Sequence, residues 1–277
     1  MSKTAFTLVG LIILLAFTSC GGKSDSAAKD TGLINQEDLE EVVEAIEVRY
    51  DWDAIANKIF FNENNDMDKE GIVEWMNQEN HLSAGIGHMI WYPFGVEKKY
   101  EESFPQFIKY AQKNAPDIKI PEWLTLEFCP FDSKSEFEEE KDKRNGFIEE
   151  LADFLFENTD VQVKFLFDDF KNKVSDIVAN TRNPLLSREI INNLLQTEQG
   201  AYALVDYNTF KGDGLNPSER FDGEGWGLLQ VIDSMSGMTS DDFANAAVAV
   251  LSRRVVNQPE ASVWIKGWTN RIDTYRE

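Results

Sequence analysis

The chain has 277 residues, of which 49 are acidic and 27 basic, giving a formal charge of -22. Phosphate backbones are held by clustered Lys and Arg, so this balance excludes nucleic acid as a partner and argues against tight docking on anionic lipid or wall polymer. The two histidines, His81 and His88, and two cysteines, Cys20 and Cys129, form no zinc spacing, and there is no Gly-rich phosphate loop, so neither metal nor cofactor is expected.

In chain order, Lys3 precedes the apolar run Leu8 to Phe17, which is too short to span a bilayer and reads as the core of a signal peptide covering residues 1–19. The run closes in Phe17-Thr18-Ser19-Cys20, which resembles the lipobox of bacterial lipoproteins, with Phe17 an unusual opening residue. That resemblance implies cleavage before Cys20 and attachment to the membrane by lipid, palmitate included, on that cysteine. Gly21 stands where many inner-membrane lipoproteins carry Asp, which points to the outer membrane. Residues 20–34 are small and polar, a flexible tether, and loss of Lys3 with the signal takes the charge to -23. With Cys20 lipidated, Cys129 has no disulfide partner, and stability must come from packing. The remaining stretch, 35–277, is enough for one domain with a proper core.

Leu39, Val42, Val43 and Ile46 follow helical spacing, and a second helix is expected over 53–62 with Ile55, Ile59 and Phe60 inward and Glu63 at its end. From Gly71 to Tyr92 two apolar runs flank Gln78-Glu79-Asn80-His81, the pattern of a β-hairpin. Helices are expected at about 103–113, 133–157, 160–179, 187–198, 226–236, 241–256 and 260–275, with a breaker-rich loop at Lys211 to Pro217. The expected class is α+β, mainly helical with one small hairpin.

Two fragments carry a resemblance. A Glu at the end of an early helix, followed by a hairpin ending Ser83-Ala84-Gly85-Ile86-Gly87-His88, resembles phage-type lysozymes, and Gly225-Trp226-Gly227-Leu228-Leu229-Gln230 resembles the Gly-Leu-Met-Gln segment of lytic transglycosylases. The separation between Glu63 and the Gly-Ile-Gly-His run exceeds that of the phage enzymes, and the second fragment falls later than in transglycosylases. The lysozyme-like resemblance implies cleavage of a β-linked amino-sugar polymer, most naturally peptidoglycan.

Glycoside cleavage requires an acid that keeps its proton near neutral pH, and Glu63 at a helix C-terminus, with Phe60, Phe61, Trp75 and Trp91 as expected apolar neighbours, suits that demand. Glu79 in the hairpin turn is the second candidate carboxylate, needed by a hydrolase but not by a transglycosylase. Ser83 is expected to position water or sugar. Carboxylates, aromatics and glycines from Asp206 to Trp226 suggest a sugar-binding surface, with Glu224, Trp226, Gln230 and Tyr92 as substrate-binding candidates. A regular calcium loop beginning at Asp206 fails, because the required Gly and Glu positions hold Lys211 and Pro217, which leaves open only an irregular calcium site. Cys129, between Phe128 and Pro130, reads as core packing, although a nucleophile paired with His88 is conceivable. The alternative function is a non-catalytic envelope lipoprotein that binds glycan or a protein partner.

Overall fold

A 21-residue helix, Thr159–Ala179, runs through the middle of the protein and buries Val163, Phe167, Phe170, Ile177 and Val178 against helices on several sides. The computed structural model describes residues 50–64, 69–217 and 220–276. The expected signal peptide, Cys20, the tether and the helix at 39–46 lie outside the described residues. All described residues belong to one unit, Ile34–Glu277.

The elements in order are α1 (Trp52–Asn64), β1 (Val73–Met76), β2 (His81–Ala84), β3 (Met89–Trp91), α2 (Phe104–Asn114), α3 (Lys134–Lys141), α4 (Phe147–Glu157), the central α5 (Thr159–Ala179), α6 (Pro184–Leu194), α7 (Glu198–Lys211), α8 (Leu228–Ile232), α9 (Ser240–Asn257) and α10 (Ile265–Asp273). This is a mainly helical α+β fold. Among the described residues no helix is long and apolar enough to cross a membrane.

The expected hairpin is the first half of a three-stranded antiparallel meander, in which Glu74 pairs with Ser83 and Ser83 with Ile90. The Gly85–His88 run, expected as strand, is the turn between β2 and β3. The structure accounts for its glycines through packing. Gly85 has φ +82°, and a Cβ there would lie 2.3 Å from the Gln162 amide oxygen, while one on Gly87 would lie 2.7 Å from Leu166. Both obstacles are side chains of α5. The fully buried Gln162 accepts a hydrogen bond from Ile86 N (3.0 Å) and donates to Leu155 O (2.6 Å), so the turn and the helix start are tied together. β3 is an edge strand, and its backbone is satisfied by the segment before α2: Ile90 N donates to Ser103 Oγ (3.0 Å), Ser103 N to Ile90 O (3.1 Å) and Tyr92 N to Glu102 Oε1 (2.8 Å).

Several helix boundaries differ from the sequence reading, among them the expected 226–236 and 260–275, which are Leu228–Ile232 and Ile265–Asp273. The stretch 133–157 is two helices, because Asn145 takes φ +55° and Gly146 caps the second. Gly200, two residues past the expected end of the helix over 187–198, lies inside α7, whose N-cap Thr197 accepts from Gly200 N (3.0 Å). A side chain cannot fit there: a Cβ would sit 2.1 Å from the Leu194 carbonyl oxygen, which is backbone and cannot rotate away. Gly200→Ala is therefore expected to cost about 1–3 kcal/mol or more of unfolding free energy, measured by urea titration, despite the better helix propensity of Ala.

Candidate functional site

An open cleft of about 380 Å3 lies against the Gly85–His88 turn. Gly87 and Met89 line it from the sheet, Tyr100 and Ser103 from the approach to α2, Asp169 and Lys173 from α5. Asn208 near the end of α7 and Asp213 in the following loop close the opposite side.

The ionisable groups of this cleft were not singled out from the sequence. Lys173 Nζ lies 2.9 Å from Asp169 Oδ2 and 4.0 Å from Glu101 Oε2. Burial pushes the Asp169 carboxyl above its ordinary pKa; Lys173 opposes that rise, and the like charges of Glu101 and Asp213 add to it. Burial works against the Lys173 ammonium, but its carboxylate neighbours, Asp169 first, prevail and raise its pKa. The two rises have different sources, burial for the Asp169 carboxyl and the charges of the facing carboxylates for the Lys173 ammonium. Asn208 adds a polar group of another kind. It is buried, and its Oδ1 accepts no hydrogen bond from any described residue, a deficit worth on the order of 1–3 kcal/mol.

The residues expected from the sequence are dispersed. Glu63 falls in the last turn of α1, and its side chain lies outside the described residues. The neighbouring Phe61 and Asn62 line a separate hollow with Tyr202 and Thr274, and no described α1 residue lines the cleft. Of the rings expected around Glu63, Phe61 is exposed, while Trp75 packs against Phe137 at 6.1 Å and Trp91 against Phe104 at 4.6 Å. Glu79 sits half-buried in the β1–β2 turn, at the other end of β2 from Gly85, and does not line the cleft. Ser83 is buried, with Oγ hydrogen-bonded to His88 Nδ1 at 3.0 Å.

None of the substrate-binding candidates lines this cleft, and Tyr92 alone among them is buried. Tyr92 has no exposed surface, and its hydroxyl accepts from Tyr100 N at 3.2 Å, so its ring is core and offers no face to a ligand. Asp206 is also fully buried, gripped by Arg271 through two hydrogen bonds of 2.8 Å, which corrects its placement on a sugar-binding surface. Trp226 has the Arg254 guanidinium 3.9 Å from its ring centroid, a cation–π contact that covers one face. Gln230 spends its amide on the loop: Oε1 accepts from Gly227 N (2.9 Å) and Nε2 donates to Gly214 O (3.1 Å). Gln230→Ala is expected to cost about 1–2 kcal/mol and to speed amide exchange at Gly227, read by hydrogen exchange and denaturant titration. Glu224 is exposed, 3.6 Å from Arg253.

Cys129 is buried, and burial pushes its thiol up to about 12, so it is a packing residue and not a nucleophile. No family model matches this chain, and no curated protein or solved structure matches it.

Proposed function

We propose that the protein is an envelope lipoprotein, held through Cys20 at the outer membrane, that binds and cleaves an amino-sugar polymer such as peptidoglycan in the cleft beside Gly87. What carries this reading is the meeting, at one opening, of a carboxyl shifted toward its neutral form and an unsatisfied buried acceptor, Asp169 and Asn208 Oδ1. A sugar ring fits an opening of this size, and Asn208 is one of the polar residues that line it. Tyr100, half exposed at the rim, offers an aromatic face for stacking. The general acid is Glu63 on the resemblance to lysozymes and Asp169 on the chemistry of the cleft.

The non-catalytic reading has its own support in the Lys173 ammonium 2.9 Å from Asp169, a contact that favours a fixed charge pair over a proton donor. Incubating the protein with purified peptidoglycan and weighing the released fragments by mass spectrometry decides between them. Fragments lost in Glu63→Gln or in Asp169→Asn identify the acid, and an anhydro-sugar end marks transglycosylation. Binding without any release leaves the glycan-binding lipoprotein, and neither binding nor release removes the glycan reading altogether.

A further inference from the structure

On the other side of the loop that follows α7 lies a second cavity, of about 390 Å3, with different chemistry. Arg182, Arg220 and Arg253 line it together with only two carboxylates, Glu224 and Asp233. Three guanidinium groups thus meet in a protein whose formal charge is -22. A surplus of local positive charge is costly to gather by chance where acids outnumber bases, and each acid here is already committed. Glu224 Oε2 stands 3.6 Å from Arg253 Nε, and Asp233 accepts from Arg182 N at 2.9 Å while its other oxygen lies 3.8 Å from Arg182 Nε. Arg253 is further held by Nη2 donating to Ser234 Oγ at 3.2 Å. Arg220 makes no ion pair among the described residues.

The wall of the cavity is a built feature. Phe221 and Glu224 exchange both backbone hydrogen bonds (2.9 and 3.0 Å), closing a two-residue turn whose central residues, Asp222 and Gly223, take φ of +50° and +80°. Positive φ at both central positions is the tight hairpin geometry that Asp-Gly favours, and it holds Glu224 and Gly225 at the rim in one arrangement. Leu229, buried, forms an apolar part of the lining.

We propose that this cavity binds the oxyanion group of a small ligand, a carboxylate or a phosphate, with Arg220 and Arg253 as its principal donors. Guanidinium forks match such groups with paired hydrogen bonds, which an ammonium cannot reproduce. The formal charge of -22 disfavours non-specific anion binding, so saturable binding reports a local site. The site stands on its own observations and does not depend on how the cleft beside Gly87 is used.

Titrating the protein with inorganic phosphate and, separately, with acetate, by calorimetry and by the side-chain N–H resonances of arginine, tests the proposal and tells the two oxyanions apart. Saturable binding of at least one is expected, weakened roughly tenfold or more in Arg220→Ala and in Arg253→Ala, and nearly as far in Arg253→Lys. Glu224→Gln, which removes a competing carboxylate, is expected to tighten binding several-fold, a gain that a damaged fold cannot produce. Absence of saturable binding to both anions, or affinities that none of these substitutions moves, overturns the proposal.

Discussion

Asp206→Asn is expected to lower the unfolding free energy by about 3–5 kcal/mol, the largest stability effect of any single substitution considered for this protein. Asp206 is fully buried on α7, and Arg271 from α10 is nearly so. The guanidinium donates Nε and Nη2 to the two carboxylate oxygens at 2.8 Å each, and the Tyr275 hydroxyl donates to the same group. Burial and the Asp206 charge both push the Tyr275 hydroxyl well above its ordinary pKa, so it stays a donor at every pH the fold survives. The arrangement locks the C-terminal helix onto α7. An amide at position 206 keeps the shape but removes the carboxylate charge that faces the buried Arg271 guanidinium, and losing that charge is the source of the cost. Urea denaturation should show a lower midpoint with little change in slope. Adding Arg271→Met to the variant is expected to cost less than the sum of the two single changes, because the two side chains are in direct contact. A loss below about 1 kcal/mol in the single variant contradicts the account.

The second large effect belongs to the proposed chemistry. Removing the general acid of a glycosidase costs on the order of 10²–10⁴ in rate, so whichever of Glu63→Gln and Asp169→Asn removes it should bring fragment release close to background. If Asp169 is that acid, release from peptidoglycan also falls as pH rises through its elevated native pKa. The same carboxyl leaves a signature in stability whatever its catalytic role. Because the native state holds this proton more tightly than the unfolded chain does, Asp169 favours folding below the ordinary carboxylate range and loses that contribution as pH rises through the native value. Asp169→Asn should therefore flatten the stability profile over weakly acidic pH, measured by thermal unfolding at a series of pH values. An unchanged profile means that Asp169 titrates as in water.

Much of the helical body was legible because one-sided burial leaves a 3.6-residue stripe. The patterns over 241–256 and 160–179 coincide with α9 and α5 to within a residue. Helix α7 was not legible for the opposite reason. Every residue from Gly200 to Asn208 is buried, so no polar face marks the period, and Asp206 and Asn208 read as loop or surface when they are internal. The pair Asp169 and Lys173 has ordinary helical spacing, and nothing local separates it from the pair Asp160 and Lys164, which has the same spacing on the same helix.

The sequence by itself determined the class of the fold and the hairpin after the helix over 53–62, since periodicity is a local property of neighbouring residues. Only the tertiary structure decided which carboxylates share a cleft, which are consumed in ion pairs, and that Arg182, Arg220 and Arg253 converge on one cavity. Those outcomes depend on distance and burial between residues tens of positions apart, and charge at a site is set by what packs around it.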